Sequence, residues 1–187
     1  MTDAVEIVSD LVKIPSVSPF ERNETERRER FERCREVLAY LEEFLQKQGA
    51  QTEQLVFEGG HDKWWYPVPN LYAELTIGDR KAAGHKFLCY MGHIDVVPVG
   101  EEKLWRRPPF SGQIDEGFVW GRGATDMKGS VGAWMSALEE LKAGKGVGVN
   151  LTIGTLITGD EEWAAVNGSD KVLAWMKANG KNPDAFI

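Results

Sequence analysis

His93 and Asp95 stand two apart in Met91-Gly92-His93-Ile94-Asp95-Val96-Val97-Pro98, directly after the apolar run Phe87-Leu88-Cys89-Tyr90. That run reads as a buried strand. Residues at i and i+2 of an extended chain leave the same face, so an imidazole and a carboxylate emerge side by side at the strand end. A carboxylate on the second nitrogen of a metal-binding histidine fixes its tautomer and the direction of its ring. A single histidine near a strand end is more often a satisfied structural residue, so the pair draws its weight from acids farther along the chain.

Two further stretches could supply those acids. In Gly121-Arg122-Gly123-Ala124-Thr125-Asp126-Met127-Lys128-Gly129-Ser130, the glycines allow a tight path at the mouth of a helix. Asp126 takes the place of the third glycine of a dinucleotide-binding loop, where its charge would repel a pyrophosphate. It could serve the helix as a cap, or it could be a ligand. Gly144-Lys145-Gly146 lacks the following Ser or Thr of a phosphate-binding loop. Gly159-Asp160-Glu161-Glu162 follows another apolar run, and three adjacent carboxylates repel one another unless a cation sits among them. Read singly, this is a solvated acidic turn. Ligands of α/β sheets gather at the carboxyl ends of strands, however, and His93, Asp126 and Glu162 could converge from three such ends. A nitrogen-and-oxygen donor set suits zinc, and a carboxylate left beside it suits a general base.

Taken in order, Gly92–Pro98, Gly121–Ser130 and Thr158–Glu162, with Trp105 and Pro108-Pro109-Phe110, resemble the ArgE/DapE/aminoacylase/carboxypeptidase-G family of dinuclear zinc amidohydrolases. The resemblance runs from the first predicted helix to the last residue. It implies that His93 binds the first zinc, that Asp95 is its partner, and that Asp126 bridges two metals. It implies Glu161 as the general base and Glu162 as a ligand of the second zinc. It also implies a cis peptide at Asp126–Met127, two zinc ions per complete site (with cobalt as a possible substitute), an N-acyl amino acid substrate, and a homodimeric full-length form. Asn70-Leu71-Tyr72-Ala73 and the segment from Asn167-Gly168 to Met176 look most like the desuccinylase branch, which acts on N-succinyl-LL-diaminopimelate. N-acetylornithine, other N-acyl amino acids and dipeptides are the competing substrates within the family.

Periodicity outlines the scaffold around these groups. Val5, Val8, Leu11 and Val12 form a helical stripe that Pro15 and Pro19 end. Residues 21–30 are nearly all charged and read as a solvated helix start or loop. Phe31, Val37, Leu38, Leu41, Phe44 and Leu45 continue as an amphipathic helix closed by Gly49. Residues 52–57 and 70–77 alternate like strands. His61-Asp62-Lys63-Trp64-Trp65-Tyr66-Pro67 is a loop packed on the surface or, less often, a pocket wall. Residues 113–120 form a hairpin turning at Asp115-Glu116-Gly117, residues 127–141 a helix with small residues on one face, residues 150–158 a buried strand, and residues 171–177 a helix. Strands and helices interleave, which predicts an α/β fold with a mixed sheet sandwiched by helices, a zinc-peptidase-like catalytic domain.

Ala185-Phe186-Ile187 looks like the opening of another buried strand. The expectation is therefore that residues 1–187 are the N-terminal part of a catalytic domain, incomplete at its C-terminus. The resemblance places a further acidic ligand, a second histidine ligand and a dimerising lid domain downstream. His61 and His85 precede the core motif and match nothing. The isolated chain is accordingly expected to have little or no hydrolase activity, holding metal weakly if at all.

Composition sets the outer bounds. The chain has 187 residues, 42% hydrophobic and 27% charged, with a formal net charge of -7. This suits one globular domain and disfavours nucleic acid, which demands a basic patch. Two cysteines, Cys34 and Cys89, far apart and outside any CxxC, suit a reducing compartment. No signal peptide and no run of 18 apolar residues is visible, so a cytoplasmic protein without a membrane partner is expected.

Overall fold

A computed structural model describes residues 2–18, 23–59, 66–145 and 148–187. Helix α1 (Ala4–Lys13) starts at Asp3, whose side chain accepts the Val5 N–H. Helix α2 (Glu24–Lys47) starts at Asn23, which accepts the Glu26 N–H. Both are side-chain caps of ordinary kind. Gly49, at φ +86°, closes α2 as expected, and the Ala50 N–H returns to the Leu45 carbonyl.

The main sheet holds β1 (Gln51–Phe57), β2 (Val68–Ile77), β3 (Lys86–His93), β6 (Leu151–Thr158) and β7 (Ala185–Phe186), in the order β1-β2-β6-β3-β7. β1 and β2 are antiparallel, as are β2 and β6, whereas β3 runs parallel to both β6 and β7. The sheet is therefore mixed, as expected. A separate hairpin joins β4 (Gln113–Asp115) to β5 (Phe118–Trp120). Its two turn residues, Glu116 and Gly117, both have positive φ, the requirement of a type I′ turn.

Helices cover both faces. On one face α1, α2 and α3 (Lys128–Glu140) bury Leu11, Leu38, Leu41 and Met135 against Leu71, Leu75, Ile153 and Ile157. On the other, α4 (Ser169–Ala178) packs Val172 and Met176 on Leu55, Tyr72, Cys89 and Leu156. The small face predicted for α3 serves α1: a Cβ on Gly132 would stand 2.5 Å from Val8 Cγ2. No helix among the described residues is long and apolar enough to cross a membrane.

The strand expected over 70–77 is present as part of β2, and residues 68–75 are buried at every position. With α2 on one side and α4 on the other, both faces are covered. The charged run 21–30 is not uniformly solvated, because Arg30 is buried. The closing strand exists but is exposed rather than buried, with Phe186 46% and Ile187 60% accessible at the sheet edge. Of the segment around His61, residues 60–65 lie outside the described residues.

Candidate metal centre

Parallel pairing of β3 with β6 sets His93 opposite Thr158, so the two strands end side by side. The Ile94 N–H donates to the Thr158 carbonyl at 3.0 Å and holds the two exits together. From the first exit come His93 and Asp95, and from the second Asp160, Glu161 and Glu162. His93, Glu161 and Glu162 each offer a donor atom, all within 4.8 Å of one another, a group able to hold a metal ion.

Asp126 approaches from the glycine-rich loop. Its Oδ1 lies 3.1 Å from His93 Nε2, and Glu161 Oε2 lies 3.6 Å from the same nitrogen. The residue at the helix mouth is Met127, and no side chain caps α3 there. Asp126 is thus not a cap; its side chain is largely exposed and turned to the imidazole. The Asp126–Met127 peptide is cis. The loop is kept tight by Gly123, at φ +85°, where a Cβ would stand 2.6 Å from Val96 Cγ1.

His93 Nδ1 faces the main-chain carbonyl of Asp95 at 3.0 Å, with the Asp95 carboxylate farther off at 3.6 Å. The carbonyl is thus the nearer partner of the ring, where the sequence suggests the carboxylate. That carboxylate is buried and heavily used. It accepts the N–H of Glu161 at 3.1 Å and of Glu162 at 3.0 Å, and the Ser18 hydroxyl at 2.8 Å. Burial pushes its pKa up, but the neighbouring His93 ring, the Arg30 charge and these donors hold it below the usual carboxylate range. Burial opposes a charge on His93 too; hydrogen bonding and attraction from Asp95, with Glu161 adding to them, nevertheless raise its pKa to about 9. Burial and the charges of Asp126 and Glu161 raise Glu162. Three crowded carboxylates around one nitrogen favour a cation there, and a divalent ion satisfies them better than a proton.

Asp160 points the other way, into the protein. It accepts the Tyr66 hydroxyl at 2.7 Å and the Asn167 N–H at 3.1 Å. Arg30 lies 3.4 Å from Asp160, 3.8 Å from Asp95 and donates to the Gly159 carbonyl at 2.6 Å. One guanidinium therefore relieves part of the acidic turn internally, leaving Glu161 and Glu162 for the site. Sequence reasoning missed Arg30. A signal existed, since Arg30 is in helical phase with Cys34, Val37, Leu38, Leu41 and Leu45, the buried stripe of α2.

An α/β sandwich carrying a histidine–carboxylate cluster at the carboxyl ends of its parallel strands defines a metallopeptidase-type domain. The chain belongs to peptidase family M20/M25/M40, whose profile matches residues 89–187. Among curated proteins, it is 39% identical over 186 residues to a succinyl-diaminopimelate desuccinylase of Rhodospirillum centenum, covering 99% of this chain and 42% of the relative. It is 36% identical over 182 residues to the enzyme of the same name from Xanthobacter autotrophicus, covering 97% and 41%. The chain thus spans about two fifths of the length of these relatives. Among solved structures, human carnosine dipeptidase 1 superposes with a TM-score of 0.76 at 26% identity, covering 98% of this chain and 37% of that one. The M20 family metallo-carboxypeptidase Sso-CP2 from Sulfolobus solfataricus gives 0.73 at 27%, covering 100% and 37%.

Proposed function

We propose that this chain is the N-terminal part of the catalytic domain of a cytoplasmic, zinc-dependent amide hydrolase that removes succinate from N-succinyl-LL-diaminopimelate. The lid and the rest of the catalytic domain belong to the remainder of a homodimeric protein. The observation that carries this reading is the convergence of His93, Glu161 and Glu162 within 4.8 Å at adjacent strand ends. The substrate rests on the names the curated relatives carry.

The donor set fits zinc: one imidazole nitrogen and several carboxylate oxygens, on a face open enough to admit substrate. His93, Asp126 and Glu162 would hold it. Bound there, the metal would polarise the amide carbonyl and make water acidic near neutral pH. The chain's own residues do the rest. Asp95 orients the His93 ring through its carbonyl and the turn at 161–162 through its carboxylate. Glu161 takes a proton from the attacking water and returns it to the amide nitrogen as the C–N bond breaks, giving carboxylate and free amine.

A second reading, a dipeptidase, draws on the likeness to human carnosine dipeptidase 1. Native mass spectrometry of the zinc-reconstituted full-length protein, followed by a panel of N-succinyl, N-acetyl and dipeptide substrates, separates the two. Preference for the N-succinyl substrate is expected. Preference for dipeptides favours the second reading, and failure to bind zinc overturns both.

A further inference from the structure

Beside the acids lies a cleft of about 440 Å³, walled by Val97, Trp105, Arg122, Thr125, Asp126 and Glu162. Among the described residues, Arg122 is the only cation on that wall. A second cleft, of about 520 Å³, adjoins it and shares Trp105 and Arg122, adding Leu104, Arg106 and Trp120. The Arg122 guanidinium lies over the Trp105 ring, 5.1 Å from its centroid, and donates one N–H to the Pro98 carbonyl at 3.1 Å. Trp105 is itself fixed, its indole N–H donating to the Val99 carbonyl at 2.9 Å.

The neighbouring arginines are engaged. Arg107 pairs with Asp115, and Arg106 lies 3.5 Å from Glu116. Arg122 has no carboxylate partner among the described residues, and its buried Nε has no acceptor. A planar fork of donors, held by a stacked indole and lacking an anion, matches a carboxylate. It stands at the junction of the two clefts, neither of which is lined by His93 or Glu161.

We propose that Arg122, supported by Trp105, is a specificity-determining residue that receives a carboxylate of the substrate remote from the scissile amide, as in a dicarboxylic acyl group. This rests on the amide-hydrolase reading for the identity of the neighbouring site. It predicts preference for anionic over neutral acyl groups, because a neutral group leaves the guanidinium, with its buried Nε, without an anion.

The test titrates the full-length protein, in the presence of zinc, with succinate and with its neutral analogue succinamide. Binding is followed through the Arg122 Nε–H resonance, assigned by its loss in Arg122→Lys. Succinate is expected to shift that resonance and succinamide not to. Arg122→Gln is expected to weaken succinate binding at least tenfold, and Arg122→Lys to keep part of it. Equal binding of the two probes, no binding, or binding unchanged in Arg122→Gln overturns the proposal; the last would assign the succinate to the metal. Should Arg122→Gln fail to fold, the wild-type resonance and the Arg122→Lys affinity decide alone. Arg122-dependent succinate binding without hydrolysis of any N-acyl amino acid would overturn the function reading and leave the subsite standing. Hydrolysis with the same succinyl-to-acetyl preference in wild type and Arg122→Gln would do the reverse.

Discussion

The carboxylate of Asp95 accepts the backbone N–H of Glu162 at 3.0 Å, so a residue leaving β3 fixes the turn that leaves β6. The same carboxylate takes the Glu161 N–H and stands beside Arg30. The acidic turn is therefore positioned through its main chain, which frees both glutamate side chains for the site.

That arrangement separates two roles of Asp95. Asp95→Asn keeps the carbonyl that meets His93 Nδ1 and alters only the carboxylate. Zinc affinity should fall about ten- to hundredfold, the usual cost of disturbing a ligand's supporting partner. Competition with a chromogenic chelator measures it, and unchanged affinity would show that the carboxylate's hold on the turn does not bear on the metal.

Arg30 compensates two buried carboxylates and the Gly159 carbonyl. Arg30→Leu strands those charges and should destabilise the fold by about 3–5 kcal/mol in urea denaturation. Arg30→Lys should recover only part, since a single ammonium cannot span three acceptors as a fork does. A loss below about 1 kcal/mol for Arg30→Leu would count against the network.

For the full-length enzyme, Glu161→Ala should abolish turnover while retaining metal, and Glu162→Ala should lose one metal. Metal counting by mass spectrometry alongside kcat checks both. Equal metal loss in the two variants would show that the base and the ligand are exchanged.

Burial pushes the Cys34 and Cys89 thiols up to about 12 from an ordinary 9.0. Thiolate is the reactive form, so a disulfide reagent at about pH 8 should modify neither in the folded chain and both in denaturant. Both pKa values are raised on folding. Their stabilisation is complete below pH 9.0 and is lost as pH climbs towards 12. Rapid labelling of the folded chain would contradict the buried placement.

Gly132→Val places methyl groups against Val8 in a packed α1–α3 contact. A loss of about 1–3 kcal/mol is expected from overpacking, read by thermal denaturation. A neutral effect would mean that the helices can separate at little cost.

Much of this was legible in the sequence. Apolar runs located β3 and β6, and the residues just past them, His93 and Glu161-Glu162, do meet. Local patterns failed where partners are distant. Arg30 looked solvated because its neighbours in the chain are charged, while its real neighbours, Asp95 and Asp160, come from other elements. Asp160 resembled the two glutamates after it in type, yet it turns inward because Tyr66 and Asn167 await it there. The preference of His93 Nδ1 for a carbonyl over a carboxylate depends on a strand-end geometry that i, i+2 spacing alone does not resolve.

Lys128, fully buried, donates to the carbonyls of Leu11 at 2.9 Å and Ile14 at 2.7 Å, at the C-terminal end of α1. The loop bearing Asp126 is in this way riveted to the first helix by a buried amine, whose pKa burial lowers to about 8. Opening the loop would tear that amine from its acceptors, so loop and helix should exchange their amide hydrogens together, as one cooperative unit. Loss of the first helix would then set the Asp126 loop adrift while His93, Glu161 and Glu162 stay moored at their strand ends.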